Sequence, residues 1–146
     1  MSVALVLRRL YQDEARLARR LERLAERHPA EHEIHHVARD LAAWSKAHLP
    51  SIAEAAPPPH DGVPEPETAN EPPAHNGLAL LHDLWQVHLD AAAVSLGWEM
   101  VAQTAQASRD GELLALAQRC HPDTLRQMRW TNAQIKQLSP QILLNS

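Results

Sequence analysis

The feature that most constrains the fold is a proline-rich segment in the middle of the chain. Residues 55–77, AAPPPHDGVPEPETANEPPAHNG, contain seven of the eleven prolines in the 146-residue sequence. Proline lacks a backbone N–H donor and fixes φ, so this segment can be neither a helix nor a central strand. It therefore divides the chain into two halves, joined by a linker of about twenty residues that prolines stiffen.

The composition favours helices in both halves. The sequence has no Phe, one Tyr and only four Gly, whereas Ala, Leu, Arg, Glu and Gln are abundant. A β-sheet draws on β-branched and aromatic residues, while the abundant residue types here are good helix formers. The length is that of a single domain with a proper core, so we predict an all-α protein with one domain over residues 1–146.

The first half predicts two helices, over residues 2–27 and 29–55. Apolar residues recur there at three- and four-residue steps, which is the pattern of a helix with one buried face. His28-Pro29 separates the two helices, and so short a connection makes them antiparallel neighbours. The predicted buried residues are Val3, Leu7, Leu10, Leu17, Leu21 and Leu24 in the first helix, and Ile34, Val37, Leu41, Trp44, His48 and Ile52 in the second.

The second half predicts helices over residues 78–108 and 110–138. The turn between them is RDGE, residues 109–112, and Ser139-Pro140 is expected to end the fourth helix. The predicted buried residues are Leu80, Leu84, Val87, Ala91, Val94, Trp98, Val101 and Ala105 in the third helix, and Leu114, Ala117, His121, Thr124, Met128, Thr131, Ile135 and Leu138 in the fourth.

The third helix also carries a second apolar band, formed by Leu81, Trp85, Leu89 and Leu96. A helix that is apolar on two sides is either central or covered by a partner. No helix of a four-helix bundle is central, so the band predicts a dimer interface with Trp85 as its anchor.

The linker over residues 56–77 has two possible roles. At ~3.1 Å per residue it reaches roughly 60 Å, which is enough to travel the full length of a bundle. In that case the third helix starts at the same end as the second, and all four helices form one bundle. Alternatively, the linker is a disordered tether between two separate helical hairpins.

Several polar residues fall within or beside the apolar stripes. Glu14 lies between Leu10 and Leu17, while His48 and His121 interrupt the stripes of the second and fourth helices. A buried carboxylate is costly unless it is paired, protonated or bound to a cation. These positions are therefore the first candidates for a functional site.

The pattern of a short connection, a long crossover and a second short connection resembles the ferritin-like superfamily of four-helix bundles, and the resemblance covers the whole chain. In that superfamily the first and third helices each contribute a Glu to a di-metal site, and the second and fourth each contribute Glu-x-x-His. The resemblance implies Glu14 as the ligand from the first helix. It implies Asp90 or Glu99 as the ligand from the third.

The second and fourth helices keep only the histidine of that motif. The corresponding segments are SKAH, ending at His48, and QRCH, ending at His121, so Ser45 and Gln118 stand where glutamates are expected. Bridging carboxylates hold two cations together, and their absence argues against a di-iron centre. A single Fe, Mn or Zn ion on Glu14, His48, His121 and an acid of the third helix remains open, as does a hydrogen-bonded cluster without metal.

A histidine ridge occupies the start of the second helix. His28, His32, His36 and Asp40 recur every four residues and so share one face. His32 and His36 are spaced to bind a metal ion at the surface, or to respond to pH. The alternative is an ordinary solvated face.

Charge and cysteine content narrow the remaining function classes. The net charge of −4 gives no basic field for nucleic acid. No apolar run is long enough to cross a membrane, and the N-terminus lacks the pattern of a signal peptide. The single cysteine, Cys120, suits a reducing compartment, so we expect a cytoplasmic protein.

The sequence therefore favours a non-enzymatic bundle that acts through homo-oligomerisation or partner binding, with no cofactor. One alternative is a metalloprotein for metal storage or oxidation. Another is a metal or pH sensor built on His32, His36 and Asp40.

Overall fold

A computed structural model of the chain describes residues 3–57 and 76–145, and these residues form a four-helix bundle. The helices are α1 (Val3–Arg27), α2 (His32–Ala55), α3 (Gly77–Ser108) and α4 (Gly111–Leu143). No strand occurs in this part of the chain, so the predicted all-α class is confirmed. Within the described ranges no helix is long and apolar enough to cross a membrane.

The four helices form a ring in which α1 contacts α2 and α3, and α4 contacts the same two helices. Side-chain contacts show that neighbouring helices are antiparallel. On the α1–α3 boundary, Arg27 at the end of α1 contacts Asp83 near the start of α3. On the α2–α4 boundary, Gln127 bonds to Leu41 near the start of α2, and the earlier Asp123 bonds to the later His48.

Because α1 is antiparallel to both α2 and α3, these two consecutive helices run in the same direction. The end of α2 and the start of α3 therefore lie at opposite ends of the bundle. The predicted crossover over residues 56–77 falls almost entirely on residues 58–75, which lie outside the described residues.

Local capping chemistry explains the start of α3 and the turn into α4. The side chains of Asn76 and Asp110 accept hydrogen bonds from the backbone N–H groups of Ala79 and Leu113, at 2.8 and 3.1 Å. Both are N-cap contacts that satisfy a free helix donor. Arg109 ends α3 in the left-handed region, with φ of 55°, which allows the sharp reversal into α4.

Two predicted helix boundaries are wrong. α2 begins at His32 instead of residue 29, because Pro29 lies in a tight turn closed by a bond from Glu31 N to the His28 carbonyl, 3.1 Å long. α4 continues through Pro140 to Leu143 instead of ending at residue 138. Ile142 in this last turn packs so closely on Gly77 that a Cβ there would lie 2.7 Å from its side chain, which ties the end of α4 to the start of α3.

The core contains the whole predicted stripe of α3, but the buried face of α4 is rotated from the prediction. Ala117, Thr124 and Thr131 are buried as expected. Cys120 and Gln127 are buried where His121 and Met128 were predicted. Periodicity alone favoured the wrong ridge, because a buried glutamine does not belong to an apolar stripe.

Candidate functional site

The interior of the bundle contains a carboxylate–imidazole pair that joins α1 to α2. Glu14 is fully buried, and its Oε2 atom lies 2.5 Å from Nδ1 of His48, which is also buried. These two residues were predicted to reach a common interior position, and the structure brings them into direct contact. Each lies mid-helix on the core-facing stripe, so the apolar residues one turn away on either side place both side chains inward.

Two further side chains bring α3 and α4 into this cluster. Nε2 of His48 lies 3.0 Å from Oδ2 of Asp123, and the indole N–H of Trp98 donates to Oε2 of Glu14 at 3.3 Å. Each of the four helices therefore contributes one polar group to a continuous network. We call Glu14, His48, Trp98 and Asp123 the central cluster.

This arrangement favours the protonated form of the His48 imidazole. Burial by itself lowers the pKa of His48, but the hydrogen bond and negative charge of Glu14, together with those of Asp123, outweigh it and raise the pKa above its ordinary value of 6.5. Both ring nitrogens face carboxylate oxygens, so both act as donors and neither offers a free lone pair.

The thiol of Cys120 lies beside the central cluster and is unreactive. Burial, followed by the charge of Glu14, raises the pKa of Cys120 to about 12. A buried thiol that stays protonated at neutral pH is a poor nucleophile. The cysteine acts as a small core residue, as the sequence indicated.

A second set of buried hydrogen bonds, between uncharged groups, lies about one turn away from the central cluster along α2 and α4. Nε2 of Gln127 donates to both the Leu41 carbonyl and the Ser45 hydroxyl, at 2.9 Å each. Ser45 stands where the ferritin-like motif has a glutamate, and here it serves as a buried hydrogen-bond acceptor. Oε1 of Glu14 and Oγ1 of Thr124 are buried without a hydrogen-bond partner in the described protein.

The other predicted metal ligands are not brought to the central cluster. His121 is only half-buried and contacts Ser95 at 2.9 Å. Asp90 is paired with Arg20 at 2.7 Å, and Glu99 is exposed on the outer surface of α3. Among residues 3–57 and 76–145, no group of three or more His, Cys, Asp or Glu side chains is arranged to hold a metal ion.

The residues present therefore do not fit the metal site that the ferritin-like resemblance implies. His48, the one predicted histidine that reaches the central cluster, already donates from both nitrogens. A metal ion could bind a ring nitrogen of His48 only after displacing Glu14 or Asp123 from that nitrogen.

The histidine ridge separates into a buried and an exposed part. His32, His36 and Asp40 are exposed on α2, as a solvated face requires. His28 was grouped with them but is buried, and its Nε2 atom lies 2.6 Å from Oδ2 of Asp83. The reason is that His28 precedes α2 and belongs to the turn, so the helical four-residue spacing does not apply to it.

Asp83 is the centre of a second buried ionic cluster, at the end of the bundle where α1 meets α2. Arg27 donates to both of its carboxylate oxygens, at 2.5 and 2.6 Å. Asp83 stands out in the sequence as a polar residue beside the α3 stripe, but its pairing with Arg27 and His28 was not predicted, and neither was the role of Asp123. The predicted buried face of α4 does not include Asp123. Its side chain points toward His48 only because α4 is rotated from the predicted orientation.

The outer surface of α3 carries the predicted interface residues. Trp85 is 63% exposed, Leu89 and Leu96 are more than half exposed, and Leu81 is partly buried. Leu78 and Met100, also more than half exposed, continue the same line at each end. We call Leu78, Leu81, Trp85, Leu89, Leu96 and Met100 the α3 outer stripe.

An apolar groove borders each half of this stripe. One groove, of about 520 Å³, lies between α3 and α4 beside the first half of the stripe and includes Ile135 and Leu143. The other, of about 340 Å³, lies between α1 and α3 beside the second half and includes Leu5, Ala93 and Gly97. The apolar surface therefore crosses the face of the bundle diagonally, from α4 over α3 to α1.

When the chain is compared with known proteins, no family model, curated protein or solved structure matches it. The function must therefore be inferred from the central cluster and the outer surface of α3.

Glu14→Ala is expected to lower the free energy of unfolding by about 3 kcal/mol, because it leaves a buried imidazolium without its closest partner. Urea denaturation measures the change. Glu22→Ala is the matched control, since Glu22 also joins α1 to α2 through Lys46 but lies at the surface. Its loss should cost less than about 1 kcal/mol. Equal effects of the two variants would show that the Glu14–His48 pair is not a buried ion pair.

His48→Gln should destabilise the protein more at pH 6 than at pH 9. The pKa of His48 is raised in the folded state, so its stabilising charge is fully present below pH 6.5 and is lost as the pH rises through the folded pKa. Unfolding free energies of variant and wild type at both pH values test this. His36→Gln, at an exposed position on the same helix, should follow the wild type, and a penalty for His48→Gln that is constant with pH would contradict the assignment.

Proposed function

We propose that this chain is a non-enzymatic helical-bundle protein that works as a homodimer, with the α3 outer stripe as its contact surface. The observation that carries the proposal is a line of six large apolar side chains, five of them more than half exposed, on a helix whose opposite face is already buried in the core. Trp85 is the most exposed of them. A contiguous apolar surface of this size is at the upper end of what monomeric proteins expose, and such patches are often interaction sites.

The area of the stripe matches what a stable dimer requires. Its five most exposed side chains present roughly 600 Å² to solvent, so a symmetric pair that covered them would bury about 1,200 Å² in total. Stable interfaces begin near this value, and the grooves on both sides would add to it. Trp85 supplies the aromatic anchor that interface centres commonly have.

A second copy is the occupant that best fits the surface. Along α3 the stripe recurs at three- and four-residue steps, except for one seven-residue step between Leu89 and Leu96, and this spacing is the pattern that pairs with another helix. No charged residue interrupts it between Leu78 and Met100, while the neighbouring positions Asp90 and Glu99 lie to its sides. A surface with an apolar centre and polar edges is typical of homodimers.

We also propose ferritin-like architecture for the bundle, with residues 58–75 crossing its length. Support comes from the parallel direction of α2 and α3, which places the two ends that this segment joins at opposite ends of the molecule. A cytoplasmic location is part of the same proposal, and it is supported by a single cysteine that has no partner in the chain for a disulfide.

Sedimentation of wild type and two charge variants tests the dimer. The wild type should sediment as a dimer at micromolar concentration, and Leu89→Glu should weaken association about a hundredfold, because it places a charge at the centre of the stripe. Ala47→Glu adds the same charge to an exposed position on α2, the helix diagonal to α3, and should leave the dimer intact. A wild type that stays monomeric at ~100 µM would overturn the proposal.

Elemental analysis separates this proposal from the metalloprotein alternative. Protein made without a histidine tag, from medium supplemented with Fe, Mn and Zn, should contain less than about one tenth of an equivalent of any of them. The physical reason is that both ring nitrogens of His48 are already hydrogen-bonded to carboxylates. His121, Asp90 and Glu99 lie away from the central cluster. A stoichiometric metal that Glu14→Ala removes would favour the metalloprotein alternative instead.

A further inference from the structure

Resting on the proposed homodimer, we infer that the two copies pair through antiparallel α3 helices about a two-fold axis at Leu89, and that Trp85 of each copy docks in the α1–α3 groove of the other. The interface is then self-complementary, since each copy supplies one projecting ring and one receiving groove. This is the isologous contact that two-fold symmetry requires.

The projecting group and the receiving groove are both present on one chain. Trp85 is the largest exposed side chain of the stripe. The α1–α3 groove is lined by the small residues Ala93 and Gly97 and by larger apolar residues such as Leu5, together with the ion pair of Arg9 and Asp13. Gly97 allows α1 to come close at this point, since a Cβ on it would lie 2.7 Å from a methyl carbon of Leu10. A large ring opposite small residues is the arrangement of helix packing by knobs and holes.

The spacing of these groups along α3 selects the antiparallel direction. Trp85 precedes Leu89 by four residues and Ala93 follows it by four. At 1.5 Å per residue, each lies about 6 Å from Leu89 along the axis, on opposite sides. Antiparallel pairing centred on Leu89 therefore places Trp85 over Ala93 of the other copy. The same register places Leu78 opposite Met100, so both ends of the stripe are covered.

The diagonal course of the apolar surface gives independent support. A two-fold axis that lies in the plane of the interface at Leu89, at right angles to this diagonal, sets the two copies face to face with their α3 helices antiparallel and crossed, and it exchanges the two ends of the diagonal. The α3–α4 groove of one copy, with Leu143, then faces the α1–α3 groove of the other, with Leu5. Both leucines are 57% exposed in the single chain. Parallel pairing would place the two copies of Trp85 against each other. It would also leave Leu5 and Leu143 without an apolar partner.

Cysteine cross-linking with a short bis-maleimide separates the two directions. The native Cys120 is buried and stays protonated, so only introduced thiols react. Leu78→Cys and Met100→Cys are about 33 Å apart along α3. Neither variant alone should cross-link in an antiparallel dimer, whereas a mixture of the two should yield a cross-linked heterodimer. Leu89→Cys should cross-link to its own copy, because it lies on the axis.

The outcomes distinguish this inference from the homodimer itself. A dimer in which Leu78→Cys or Met100→Cys cross-links alone is parallel, and it overturns the inference while the homodimer stands. A dimer in which neither the mixture nor Leu89→Cys cross-links has its interface away from the α3 outer stripe, and it overturns both this inference and the proposed contact surface. A monomeric wild type removes the homodimer and this geometry with it. All three positions are at least half exposed, and circular dichroism confirms that each variant is folded.

Trp85→Ala tests the docking of the ring within that geometry. It should raise the dissociation constant of the dimer at least about tenfold, because Trp is the residue type that most often dominates an interface. Ala93→Glu, in the opposite groove, should weaken the dimer similarly, and the double variant should be little worse than either single one, since both changes remove the same contact. Fully additive losses would show that Trp85 does not occupy the groove of Ala93.

Discussion

Burial of the Glu14 carboxylate is the constraint on which the rest of this structure depends. A charge without water costs several kcal/mol, and the side chain has no route to solvent from the middle of α1. Two partners offset the cost, a protonated His48 from α2 and the indole N–H of Trp98 from α3. Asp123 from α4 then stabilises the imidazolium, so the neutralisation of one side chain requires all four helices to be in place.

This dependence sets the alignment of the helices along one another. Leucine and alanine stripes pack in several registers, since a slide of one turn places similar side chains opposite each other. The central cluster does not tolerate such a slide, because it would leave Glu14 buried without His48. The contact of Arg27 and His28 with Asp83 imposes the same requirement near the end of the bundle. Two ionic clusters at different heights thus favour one alignment of α1, α2 and α3.

The bundle has charged side chains in its core and apolar side chains on its outer surface, which is the reverse of the usual pattern. The two departures have different consequences. Inside, the central cluster places charges where the pattern predicts apolar residues, and Glu14, His48 and Asp123 are paired with one another, while Oε1 of Glu14 has no hydrogen-bond partner among the described residues. Outside, the α3 outer stripe places apolar residues where solvent is expected, and the single chain offers them no partner. Departures from local rules concentrate where a protein interacts or is strained, so the internally paired cluster indicates a structural role and the exposed apolar stripe indicates association.

The amino-acid sequence by itself determined the number of helices, their approximate limits, the buried stripe of α3 and the inward position of Glu14 and His48. These follow from periodicity and from proline, which act over a few residues. Only the tertiary structure decided the rotation of α4, the burial of Gln127 and Asp83, and the role of Asp123 as the second partner of His48. The physical reason is that a polar side chain becomes a core residue only when another helix supplies its hydrogen-bond partner, and no local pattern records which helix that will be.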